Sequence, residues 1–120
     1  MMGEDNLTKR AQYTLVYSEG KSWASNLLVM KALSNGLALS RYGFSVSRKV
    51  GDAVTRNRVK RRLREILRIT PVKPGWDIVF IARSPAATTS YAELKKTVEN
   101  LLSRARLLTR EDERVCLRIN

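Results

Sequence analysis

The apolar positions of this chain change their period several times, and each change marks an element. Over residues 9–19, Tyr13, Val16 and Tyr17 stand three and four apart, which predicts a short helix packed through those side chains. Gly20 follows as the residue expected to close it in the left-handed conformation. Residues 21–47 are strand-like. Lys21 and Trp23 open a short first strand. Leu28, Met30 and Ala32 then share one side of a second, with Leu27, Val29 and Lys31 on the other. In a third, Tyr42, Phe44 and Val46 alternate with Gly43, Ser45 and Ser47, giving one bulky face and one bare face onto which a backbone could come close. Asn35-Gly36 lies between the runs 26–33 and 37–47, so these two strands are expected to pair as a hairpin.

From Val59 onward the period is helical again. Val59, Leu63, Ile66 and Leu67 form a narrow stripe, while Asn57, Arg58, Arg61, Arg64 and Arg68 gather on the opposite side with Glu65. Pro71 and Pro74 end that helix. Ile78, Val79, Phe80, Ile81 and Ala82 are apolar without alternation, which predicts a central strand buried on both faces. Residues 91–108 predict a last helix, opened by a Ser90–Glu93 capping box and buried through Tyr91, Leu94, Val98, Leu101, Leu102, Ala105 and Leu108. Its outer face mixes Lys95, Lys96, Arg104 and Arg106 with Glu93 and Glu99, and reads as solvated structure. The order is αβββαβα: a small α+β domain over residues 9–108, with helices packed on a mixed, mainly antiparallel sheet. Residues 1–8 and 109–120 read as tails.

Charge changes the picture more than length does. The chain carries 23 Lys and Arg against 11 Asp and Glu, a net +12 over 120 residues. Nine of the cations fall between Arg48 and Arg68 against only Asp52 and Glu65. A helix built for its own stability interleaves acids at i,i+4. Here like charges stack instead, and their repulsion calls for a polyanion such as nucleic acid, beyond a merely solvated face. Arg56 stands apart: it lies about 160° from Arg58 around the helix and within about 60° of Val59. Either its stem covers the packed stripe with the guanidinium in water, or the first turn faces a second ligand surface.

Much protein-side chemistry is excluded. There is no histidine, and Cys116 is the only cysteine, so an internal disulfide, His-based acid/base catalysis and the usual zinc sets are absent. The acids are scattered: Glu4 and Asp5 lie near one end, residues 111–113 near the other, and single carboxylates between. Phosphodiester hydrolysis by protein groups needs carboxylates gathered on a metal or an acid/base pair. The chain therefore reads as a binder, and no metal site on it is assigned. No apolar run is long enough for a membrane span, and the polar, acidic start is unlike a signal segment, so a cytoplasmic protein is expected.

The run Gly43-Phe44-Ser45-Val46-Ser47-Arg48-Lys49-Val50-Gly51-Asp52-Ala53-Val54, followed by Arg56-Asn57-Arg58-Val59-Lys60-Arg61, resembles the signature of the bacterial ribonuclease P protein subunit. The resemblance extends to Asp77-Ile78-Val79-Phe80-Ile81-Ala82-Arg83, Pro85-Ala86, Tyr91 and Lys95-Lys96, and to Tyr13, Val16, Tyr17 and Gly20. It implies a left-handed βαβ crossover, against the general rule. It implies a non-catalytic protein component of an endoribonuclease, whose partners are the catalytic RNA subunit and precursor tRNA. Removal of the 5′ leader is then performed by the RNA with Mg²⁺ that it mainly holds itself. Matched to the family motif, Arg48, Lys49, Arg56, Asn57, Arg58, Lys60, Arg61, Arg64 and Arg68 would meet the RNA subunit. Tyr13, Tyr17, Val29, Lys31, Ser45 and Arg56 would line the leader cleft, with Lys31 replacing a frequent aromatic and exchanging a stack for a phosphate contact. Two other readings stay compatible with the residues alone: a different RNA or DNA binder, such as a ribosomal protein, and a nuclease acting by itself.

Overall fold

The computed structural model describes residues 6–109, so Cys116 and the acidic residues of both ends lie outside the described residues. The elements are α1 (Arg10–Glu19), β1 (Lys21–Ala24), β2 (Leu28–Ser34), β3 (Arg41–Ser45), α2 (Ala53–Ile69), β4 (Trp76–Ala82), a 3-10 turn (Ser84–Ala87) and α3 (Tyr91–Arg104). This is the order that the periodicity predicts. Leu7 is buried, and its N–H donates to the Tyr42 carbonyl at 2.8 Å along the outer edge of β3.

The strands lie in the order β1-β2-β4-β3. β4 is antiparallel to β2 and parallel to β3, so the expected hairpin between β2 and β3 does not form. The reason is competition for the centre. Ile78, Val79 and Phe80 are each 0% exposed and would leave an apolar face in water at a sheet edge. Asn35-Gly36 still turns the chain: Gly36 has φ 72°, and the Leu37 N–H donates to Asn35 Oδ1 at 2.7 Å. The turn clasps the entrance to β4 instead of joining its neighbours. The Asn35 N–H donates to the Gly75 carbonyl at 2.8 Å, and Asn35 Nδ2 to Asp77 Oδ1 at 2.8 Å.

One face of the sheet carries α2 and α3. Val59, Leu63, Ile66 and Leu67 pack with Leu94, Val98, Leu101 and Leu102 over Met30, Ile78 and Phe80. The other face carries α1, with Val16 against Val79. The hand of the β3-α2-β4 crossover follows from L chirality. Tyr42 sends its side chain into the α2 side while its carbonyl faces Leu7, away from β4. With that side chain toward the viewer and β3 running upward, the carbonyl of an L residue points right. β4 therefore lies to the left with α2 in front, and the crossover is left-handed.

Two helix ends differ from expectation. Gly20 has φ −79° and ψ 163°, an extended conformation, so it is not a left-handed cap. Its lack of a side chain is needed for space, because a Cβ there would stand 2.6 Å from the Val16 carbonyl oxygen and 2.8 Å from that of Ala32. α3 stops at Arg104, short of residue 108. The Leu107 N–H donates to the Leu102 carbonyl at 2.9 Å and the Arg106 N–H to that of Ser103 at 3.0 Å, with Arg106 at φ 61°. That is a Schellman closure with arginine in the seat glycine prefers, and it swings Leu107 and Leu108 into the core. At the other end, the Ser90 hydroxyl accepts from the Glu93 N–H at 3.1 Å, the forward half of the predicted box. Arg106→Gly should raise stability by about 1 kcal/mol, seen as a higher urea midpoint at unchanged m-value; a lower midpoint would show that the Arg106 side chain outweighs its backbone cost.

Candidate nucleic-acid interface

α2 is oriented by its cap and its stripe. Asp52 accepts from the Thr55 N–H at 2.9 Å. Hydrogen bonding to Thr55 holds the Asp52 carboxyl below its ordinary range, with the charges of Arg56 and Arg58 adding to it. The four predicted apolar residues are all buried. Their burial turns Asn57, Arg61, Arg64, Glu65 and Arg68 outward as exposed residues, with Lys60 half-buried. Arg48 and Lys49 are exposed in the turn leading to the helix.

Two arginines behave differently. Arg58, which the family motif assigns to RNA, is half-buried and its Nη2 donates to the Ala87 carbonyl at 2.9 Å. Arg62, absent from the predicted set, donates from Nη1 to the Thr89 carbonyl at 3.0 Å. Together they tie α2 to the segment after β4. Position could have flagged Arg62, since three residues beyond Val59 it lies within about 60° of the stripe. The Arg64 guanidinium sits 5.7 Å from the Phe44 ring centroid, a cation–π contact. Arg56 is half-buried with Nε enclosed and lacking a hydrogen-bond partner among the described residues. The enclosed Nε does not fit a guanidinium held in water, as the first of the two sequence alternatives has it.

Strand register assembles the second surface. Ala24, Val29, Ile81 and Ser45 align across all four strands in one row, and Ser22, Lys31, Val79 and Gly43 in the next. α1 covers the second row. The Tyr13 ring occupies the bare face at Gly43, where a Cβ would lie 2.5 Å from it, and Tyr13 Oη donates to the Leu7 carbonyl at 3.4 Å. The space read as room for another backbone is thus filled at Gly43 by the chain's own tyrosine. The row beside it stays half-buried at Val29, Ile81 and Ser45, an open floor flanked by α1. Lys31 donates from Nζ to Ser22 Oγ at 2.8 Å. Tyr17 is 41% exposed, so it is not the packing residue its spacing predicts. Ile81, between Val29 and Ser45, was missed because only strand register brings it there.

Two carboxylates are engaged elsewhere. Asp77 is 4% exposed and accepts from Arg41 Nε at 2.8 Å and Nη2 at 2.7 Å, besides Asn35. The hydrogen bond to Asp77 raises the pKa of Arg41 despite burial, and the opposite charge adds to it. Glu99 pairs with Lys95 at 3.0 Å. Among the described residues no three His, Cys, Asp or Glu side chains converge as a metal site, and no helix is long and apolar enough to cross a membrane.

With this geometry in place, comparison with known proteins is decisive. The family model described as Ribonuclease P matches residues 1–106. The chain belongs to the ribonuclease P protein family. It is 52% identical over 114 residues to the ribonuclease P protein component of Dehalococcoides mccartyi (strain CBDB1), spanning 95% of each chain. To that of Roseiflexus sp. (strain RS-1) it is 44% identical over 104 residues, 84% of this chain and 85% of the relative. Among solved structures, the Staphylococcus aureus RNase P protein superposes with TM-score 0.81 at 30% identity, covering 88% of this chain and 98% of that one. The Thermotoga maritima RNase P protein gives TM-score 0.77 at 34% identity over 82% and 96%. The signature around Arg56-Asn57-Arg58 was a sufficient guide to the family.

The sorting of arginines on α2 is testable by stability alone. Arg62→Ala should cost about 1–2 kcal/mol, through the lost carbonyl bond and stem packing, while Arg61→Ala should stay within about 0.5 kcal/mol in urea titrations; equal effects would contradict the assignment. Asp52 gives a pH test. Its lowered folded pKa stabilises the protein above the unfolded pKa, and that contribution is lost as pH falls through the folded value. The deficit of Asp52→Ala relative to the parent should therefore shrink below about pH 4, and a pH-independent deficit would assign the cap's effect to geometry alone.

Proposed function

We propose that this chain is the protein subunit of a cytoplasmic ribonuclease P, holding the catalytic RNA subunit along α2 and the 5′ leader of precursor tRNA across the sheet floor beside α1. The observation that carries this is the outer face of α2. There Arg61, Arg64 and Arg68 stand exposed on a helix whose other face is clamped to the core, with Glu65 as the single acid. Cations on a rigid rod neutralise backbone phosphates without reading sequence, which positions an RNA and releases its counterions. Arg48 and Lys49 extend the surface before the helix, and Asn57 and Lys60 complete it. Arg58 supports it from behind through its bond to Ala87.

A single strand suits the other surface. The row Val29–Ile81–Ser45 offers a shallow apolar floor, and Tyr13 and Tyr17 on α1 offer ring faces for unpaired bases. Lys31 and the end of Arg56 would take phosphates at its margins.

In this reading the RNA is the catalyst and the complex is the endoribonuclease. No carboxylate set among the described residues fits a Mg²⁺ ion: Asp77 is held by Arg41 and Asn35, Asp52 caps α2, and Glu99 faces Lys95. The Mg²⁺ is assigned mainly to the RNA, and the chain's own work is binding and positioning.

The purified chain should leave precursor tRNA intact, and adding it to the RNA subunit at low Mg²⁺ should restore cleavage at the mature 5′ end. Cleavage by the chain alone would make it a nuclease; no effect on the RNA subunit would make it some other RNA binder. Arg61→Ala should also flatten the slope of log affinity against log salt by roughly 0.7 to 0.9, and an unchanged slope would remove Arg61 from the interface.

A further inference from the structure

A cavity of about 490 Å³ opens between the outer edge of β3 and the last two turns of α2, on the opposite side of the sheet from the Val29–Ile81–Ser45 floor. Its walls are Tyr42 and Phe44 of β3, Leu67 of α2 and Val72 of the following loop, and Arg64 and Arg68 line it as well. The inner side of Phe44 is stacked on Phe80, with centroids 6.5 Å apart and planes 16° apart, so the ring is held in place. Arg64 lies over the same ring, 5.7 Å from its centroid, so its guanidinium takes a face of Phe44 and becomes part of the wall that a base would meet. Among the described residues no Asp or Glu lines the cavity.

From this we infer that the cavity receives one unpaired nucleotide of the RNA subunit, its base against Tyr42, Phe44 and Leu67 and its flanking phosphates on Arg64 and Arg68. The inference rests on the reading that α2 lies along that RNA. The chemistry selects the occupant in two steps. Two cations with no carboxylate among the described lining residues favour an anion, and an apolar, aromatic volume behind them favours one that carries a planar, weakly polar body. A phosphate ion supplies the first and leaves the volume empty. An acidic peptide supplies the first through side chains that have no flat face for Tyr42 or Phe44. A nucleotide supplies both. It must be unpaired, because only an unstacked base can leave its helix to enter a protein cavity. The RNA held by Arg61 passes one helical turn from Arg64 and two from Arg68, so neighbouring phosphates are already delivered to the mouth. α2 then does more than neutralise charge: its C-terminal half reads a structural feature, a bulged or looped nucleotide, that fixes the register of the RNA on the helix.

The test uses the full chain in two arms. In the first, adenosine, guanosine, cytidine and uridine monophosphates are titrated into the isotope-labelled protein. They should shift the amides of Ala38, Leu39 and Tyr42, whereas inorganic phosphate and a short polyglutamate should move only signals near Arg64 and Arg68. In the second, Ala38→Trp places an indole at the exposed rim of the cavity and leaves every α2 cation intact. Its affinity for the RNA subunit should fall about tenfold, the worth of one stacked base, with an unchanged salt slope because no phosphate contact is lost. The proposal is overturned if nucleotides shift nothing that phosphate or polyglutamate does not. It is overturned equally if Ala38→Trp binds like the parent while Arg61→Ala binds more weakly, which leaves the α2 interface standing without its nucleotide. If Arg61→Ala is also without effect, the reading of α2 fails together with the cavity. The titration needs no variant, so a misfolded Ala38→Trp would not shield the proposal.

Discussion

Everything in this small domain follows from a strand that tolerates no exposed face. β4 is buried on both sides at Ile78, Val79 and Phe80 and can only sit in the middle of the sheet. Taking that place, it parts β2 from β3 and leaves β3 parallel beside it, with α2 as the crossover. The crossover is left-handed and delivers α2 to one face while α1 returns to the other. A hairpin between β2 and β3 would have erased the row in which Val29, Ile81 and Ser45 meet. The central strand thus creates both candidate surfaces and keeps them on opposite sides of one sheet.

The cationic helix shows how a surface unfavourable in isolation is kept in place. Like charges along α2 repel by a few tenths of a kcal/mol per pair. Four buried apolar side chains, the Asp52 cap, and the bonds of Arg58 and Arg62 to carbonyls after β4 oppose that repulsion. Arginines that look alike in sequence therefore divide between holding the helix and facing solvent. The division matters for the proposed binding, because a rod tied down in this way would meet a phosphate backbone with its cations already spaced. The pairing of Asp77 with Arg41 and Asn35 does similar work at the entrance to β4, fixing the strand by an ion pair that no periodicity announces.

What could be read from the sequence was local. The stripe at Val59, Leu63, Ile66 and Leu67, the order of elements and the double burial of β4 were legible, because burial imposes a period on the chain. The family signature carried the left-handed crossover and the grouping of site residues. The absent β2–β3 hairpin was not legible: Asn35-Gly36 is a strong short-range signal, and the competitor that overrides it arrives some 40 residues later. The early end of α3 was hidden because arginine, not glycine, takes the left-handed seat at Arg106. Gly20 was placed correctly for the wrong reason, since contact with β2 is a tertiary fact. The same holds for Arg58 and Arg62, whose carbonyl partners lie 27 to 29 residues away.

In the proposed arrangement two different RNAs lie on opposite faces of one sheet. Site-directed cross-linking tests it most directly, in the assembled complex with precursor tRNA and in a Cys116→Ser background. Photoreactive probes would be placed on Ser45→Cys of the open floor and Glu65→Cys of the outer face of α2. The Ser45 probe should join leader nucleotides and the Glu65 probe the RNA subunit, with no exchange between them. Cross-links from both probes to the same RNA segment would contradict it.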